Sequence, residues 1–109
     1  MIKLITIEKM NEIIERYENA KTFAELPVED EGLFIAFDNV KFIALANECN
    51  DCYVEEFYSL EIALNYLLGN YESLKFLYML DEVFKDNKIF CIHEQLVQEA
   101  IDKVNEIIK

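Results

Sequence analysis

From Leu33 to Gly69 the chain reads LFIAFDNVKFIALANECNDCYVEEFYSLEIALNYLLG. Three short apolar runs, parted by turn residues, lead directly into a longer greasy segment. Strands are expected at Leu33–Phe37, Lys41–Asn47 and Cys52–Tyr58, joined by turns at Asp38-Asn39 and Glu48–Asp51, because Asn and Asp tolerate positive φ and bond their own backbone. The second run carries Phe42, Ala44 and Ala46 on one face and Ile43 and Leu45 on the other. Both faces are apolar, as in a strand covered on two sides. The third run places Glu55 and Glu56 on opposite faces, which suits an edge strand guarded against pairing. A meander with its second strand central follows. The first strand is nearly all apolar and is expected at the opposite edge, covered by a helix of this chain or by a second copy.

The flanking segments read as helices. Ile7, Met10, Ile13, Ile14, Tyr17 and Ala20 recur at i, i+3, i+4 and i+7, one buried stripe. Thr6 is placed to cap that helix and Glu8 to oppose its dipole. The pattern extends through Phe23 and Ala24 until Pro27 ends it, and Val28–Gly32 reads as an acidic loop. Ser59 is the expected cap of a second helix, with Gly69 as its left-handed C-terminal residue. Asn70 can cap a third helix over Tyr71–Phe84, while residues 89–92 fit a short extra strand or the start of the last helix. From Glu94 onward, Val97, Ala100, Ile101, Val104, Ile107 and Ile108 give a clean amphipathic helix. The expected fold class is α+β: a small three-stranded antiparallel meander packed with four helices, in the order α-β-β-β-α-α-α, forming a single compact domain over residues 1–109.

Composition supports regular elements with short connections. The 109 residues include only two glycines, Gly32 and Gly69, and one proline, and 53% are apolar. High net charge alone would suggest disorder, but disorder also needs low hydrophobicity. The longest apolar runs, Leu33–Phe37 and Phe76–Leu80, are far short of the ~20 residues that span a bilayer. Glu8 and Lys9 interrupt the apolar start before a signal-peptide core could form. Three cysteines cannot pair completely within one chain, so a reducing cytoplasmic setting is the expected localisation.

The net charge of −12 is concentrated in one part of the chain. Residues 22–74 carry eleven acids and one base, Lys41, a net of −10, whereas residues 1–21 balance. Direct binding to nucleic acid or to an anionic membrane is disfavoured, because phosphate attraction requires Lys and Arg. A basic protein partner is favoured, since complementary fields speed encounter and suppress wrong pairings. The expected partner-binding residues are Glu29, Asp30, Glu31, Asp38, Glu48, Asp51, Glu55 and Glu56, with Tyr53 and Tyr58 as anchors. Tyrosine offers large contact area with a polar tip.

No catalytic signature is present. Two glycines cannot build a dinucleotide or P-loop motif, and His93-Glu94 is followed by Gln95, Leu96 and Val97, which fails the H-E-x-x-H pattern. One cysteine–histidine constellation remains: Cys49-Asn-Asp-Cys52 with Cys91-Ile-His93, all the cysteines and the sole histidine. A C-x2-C on a hairpin turn is a common half of a zinc site. Its bland alternative is a set of ordinary buried thiols. No other cofactor is indicated.

The order helix, three-stranded meander, two helices, together with the acidic charge, resembles certain small acidic phage inhibitors, including anti-CRISPR proteins that occupy the DNA-binding groove of a Cas nuclease. That resemblance implies a non-enzymatic inhibitor presenting phosphate-like negative charge to a nuclease or other nucleic-acid-acting protein. An anti-restriction protein, an immunity protein or an antitoxin would use the same chemistry. The rival class is a small zinc-stabilised regulatory domain. A homodimer through the first strand is compatible with each.

Overall fold

A computed structural model describes residues 1–38, 41–48, 51–69 and 94–108. The first element is a strand, β1 (Ile2–Ile5), followed by helix α1 (Ile7–Asn19). Two short 3-10 turns, Phe23–Glu25 and Val28–Asp30, lead into β2 (Gly32–Phe37), β3 (Phe42–Asn47) and β4 (Tyr53–Phe57). Helix α2 (Leu60–Leu67) follows, and α3 (Glu94–Ile108) is the last described helix.

The four strands form one sheet in the order β1-β2-β3-β4. β2–β3 and β3–β4 are antiparallel, which is the expected meander with β3 interior and, among the described residues, β4 at the edge. The correction lies at the other side. β2 is not an edge; β1 pairs parallel to it, with Ile2 opposite Leu33 and Ile5 opposite Ala36. Among the described residues the sheet therefore has four strands with one parallel pair, and there are three α-helices, not four. The third helix expected over Tyr71–Phe84 and the short strand at 89–92 lie outside the described residues. A parallel pair needs a long crossover, usually helical, and α1 is that crossover. The edge with which a homodimer was compatible is thus filled by the chain's own first strand.

Strand alternation sorts the apolar residues into two cores. Ile2, Ile35, Phe42 and Ala44 pack with Leu60, Ala63, Leu64, Leu67, Val97, Ile101 and Val104 from α2 and α3. On the opposite face Phe34, Ala36 and Leu45 pack with Met10 and Ile13 of α1. The sheet is the middle layer between α1 and the α2–α3 pair. Each fully buried leucine of α2 contributes about 1.5–3 kcal/mol relative to exposure, and Leu60, Leu64 and Leu67 are all buried.

The helix caps form as expected. Thr6 Oγ1 accepts from Lys9 N–H at 3.1 Å, and Ser59 Oγ accepts from Ile62 N–H at 3.4 Å. Helix α1 stops earlier than its periodicity suggested: Ala20 is extended, and Lys21 N–H donates to Glu25 Oε2 at 2.9 Å as the chain turns back toward the sheet. Gly69 is not the left-handed terminator; the helix closes through Leu68, and Gly32 is the glycine with a positive φ, +137°. Gly32 faces Asn47 across the β2–β3 pair, at the point where the acidic turn enters the sheet.

The two ends of the chain meet at the outer edge of β1. Asn105 of α3 presents its amide to the main chain of Ile2: Oδ1 accepts from Ile2 N–H at 2.9 Å, and Nδ2 donates to Ile2 C=O at 2.8 Å. This is the pairing another strand would supply. A side chain 103 positions away therefore caps the exposed edge.

Candidate interaction surface

The acids of the middle segment do not form one surface. At one end of the sheet, the Val28–Asp30 turn, the start of β2, the end of β3 and the start of β4 come together. Glu29, Glu31 and Glu48 are exposed there, and Asp51 is half-buried. Asp38 lies at the opposite end, where it closes the β2–β3 hairpin. Its Oδ1 accepts from Lys41 N–H at 3.0 Å, and its own N–H donates to Lys41 C=O at 3.1 Å.

Asp30 is turned inward. It is 3% exposed, and its two carboxylate oxygens each accept a 2.7 Å hydrogen bond from Arg16, one from Nε and one from Nη2. The bidentate carboxylate raises the Arg16 pKa, the hydrogen bond being the largest cause. This pair ties the acidic turn to α1, so Asp30 serves the fold and not the exposed rim. Asn47, also buried, extends the tie: its Nδ2 donates to Asp30 C=O at 2.8 Å, while its Oδ1 accepts from Cys52 N–H at 3.3 Å. One amide thereby joins the turn before β2 to the turn before β4.

Glu55 and Glu56 stand on opposite faces of β4, opposite Ala44 and Ile43 respectively. Lys41, the base of the acidic segment, is spent on Glu56, with Nζ to Oε2 at 3.0 Å. Its pKa is raised, first by that hydrogen bond. On the face that carries Glu55, the phenol of Tyr66 in α2 is pushed up by burial and then by the charge of Glu55. Tyr66 also packs on Phe57, with ring centroids 5.2 Å apart. Tyr53 is 61% exposed and Tyr58 81% exposed, so both anchor candidates face solvent.

Sequence reasoning missed two contributors. Glu18, on the last turn of α1, acts on Cys52 together with Asp51 and Asp30; nothing in the periodicity of α1 says which loop its end approaches. Tyr66 sits in the greasy segment ahead of Gly69, where nothing local says that its ring packs on Phe57 of β4.

The metal constellation falls mostly outside the described residues. Cys49, Cys91 and His93 lie outside them, and no described group of three or more His, Cys, Asp or Glu could hold a metal ion. Cys52 is half-buried with φ of +46°, an uncommon conformation for a residue with a Cβ. Burial, then the charges of Asp51, Glu18 and Asp30, pushes its thiol up. A protonated thiol is a weak nucleophile. Among the described residues no helix is long and apolar enough to cross a membrane. No family model matches the chain, and neither a curated protein nor a solved structure matches it.

Proposed function

We propose that this chain is a small acidic, non-enzymatic interaction protein that docks on the basic surface of a nucleic-acid-acting protein, such as a nuclease, and inhibits it by presenting negative charge. A phage anti-CRISPR or anti-restriction protein works through this chemistry, as does an immunity protein or antitoxin. The observation that carries the proposal is β4 and its approach. Glu48, Glu55 and Glu56 are exposed there beside the solvent-facing rings of Tyr53 and Tyr58, within a segment of net −10. An acidic, aromatic-bearing edge complements a basic groove in charge and in the residue type that anchors interfaces.

Affinity capture from the source cell, followed by kinetics with the purified partner, tests the proposal. The expected partner is a basic nuclease or nucleic-acid-binding protein. Its association rate should fall steeply with salt, and a Glu48→Lys/Glu55→Lys variant should slow it by about tenfold or more at low ionic strength. Asp30 and Asp51 are left intact because Asp30 is buried against Arg16 and one Asp51 carboxylate oxygen is buried. A partner whose association rate ignores both salt and the double reversal refutes the proposal.

A further inference from the structure

The two edges of the sheet are finished differently. At β1 the outward main-chain groups of Ile2 are occupied by Asn105. β4 pairs with β3 on its inner side, and no described residue pairs with it on the other. Its first four residues are all exposed, Tyr53 and Val54 among them. A strand edge of this kind is a template for another chain.

We infer that the outer edge of β4 receives an extended segment of the basic partner as an added strand, a docking mode that rests on the functional reading above. The charge pattern selects the occupant. On the face shared with α2, β4 presents Tyr53, Glu55 and Phe57 in that order, and directly opposite residues in paired strands interact. Glu55 has no cation facing it among the described residues, whereas Glu56 already holds Lys41. The matching strand carries one Lys or Arg opposite Glu55, with an apolar residue two positions away on each side. A second copy of this chain is a poor occupant. Edge-to-edge pairing of two β4 strands brings Glu55 and Glu56 of each against the same pair, and like charges across strands are destabilising.

The probe is a short synthetic peptide with a central lysine, valine two positions away on each side, and threonine between. Two derivatives carry N-methyl groups on alternate amides, one along each peptide edge, leaving charge and composition unchanged. The parent should bind, and one derivative should lose at least about tenfold in affinity, equivalent to 1.4 kcal/mol, while the other keeps it. Glu55→Lys should weaken the lysine peptide and favour its glutamate-centred counterpart. Hydrogen exchange should show new protection at alternate β4 amides on binding. Equal binding by both derivatives overturns strand addition and leaves a charge-driven partner reading intact. So does a free protein whose β4 amides are all protected already, or a dimer paired through β4 in sedimentation. A parent peptide that fails to bind also overturns the inference, while capture of a basic partner is judged separately.

Discussion

The amide of Asn105 makes two hydrogen bonds to one residue of β1, and its removal has a calculable consequence. Ile2 is 2% exposed, so its N–H and C=O have little access to replacement water unless the side chain shrinks. Asn105→Leu keeps the branched shape with somewhat more bulk, removes both partners and blocks solvent. Each buried backbone group left unsatisfied costs about 1–3 kcal/mol, so the expected loss is about 3 kcal/mol. Asn105→Ala opens the groove between β1 and α3, water can take over, and the loss should be about 1–2 kcal/mol, the net value of two ordinary bonds. In a domain of this size about 1 kcal/mol moves Tm by roughly 4–8 °C. The leucine variant should therefore melt at least about 12 °C lower and the alanine variant about half that. Urea unfolding followed by circular dichroism, with an unchanged m-value, gives the free energies, and exchange at the Ile2 amide gives the local effect. A leucine variant as stable as the parent, or less destabilised than the alanine variant, would show that Asn105 does not secure the first strand.

The remaining expectations concern the acidic turn and Cys52. Arg16→Met leaves the Asp30 carboxylate buried without its cation; because Arg16 is 40% exposed, the loss should be nearer about 2 kcal/mol than the 3–5 of a fully buried pair, and adding Asp30→Leu should recover part of it in urea unfolding. Gly32→Ala meets only the Phe34 ring at an ordinary 3.7 Å, so its cost is the positive φ alone, about 1–3 kcal/mol; an unchanged urea midpoint would refute the strain. In a Cys49→Ser/Cys91→Ser background, Cys52 should react with iodoacetamide more slowly at neutral pH than an unstructured thiol. The folded state holds the Cys52 proton more tightly than the unfolded chain, so this contribution to stability is complete below the unfolded thiol's titration and is lost as pH rises through the folded one. Stability that falls no more steeply across that alkaline range in this background than in Cys52→Ala would contradict the sign.

Much of the meander was visible in the order of residues. The double apolar face of Phe42–Ala46 marked an interior strand, and Glu55-Glu56 marked an edge, because side-chain alternation and the cost of burying charge act locally. Thr6 and Ser59 announced helix starts for the same reason: a cap bonds an amide three residues away. β1 was not visible. Its four residues make a strand only through β2, more than twenty-five positions downstream, and four apolar-rich residues before a helix carry too little period to declare themselves. The candidate surface was half legible. Exposure of Glu48, Glu55, Tyr53 and Tyr58 agrees with composition-level expectation, whereas Asp30 looked the same as its neighbours Glu29 and Glu31.

What this sequence determines by itself is its local grammar: where helices begin, which strand is covered on both faces, and that its middle is acidic. These follow from forces acting over a few residues or summed over all of them. The tertiary structure alone decides that the first strand joins the sheet in parallel, that Asn105 closes its edge, and that Asp30 leaves the acidic rim for Arg16. Each depends on groups brought together from distant positions, and hydrogen bonds and ion pairs of that kind exist only once the layers have packed.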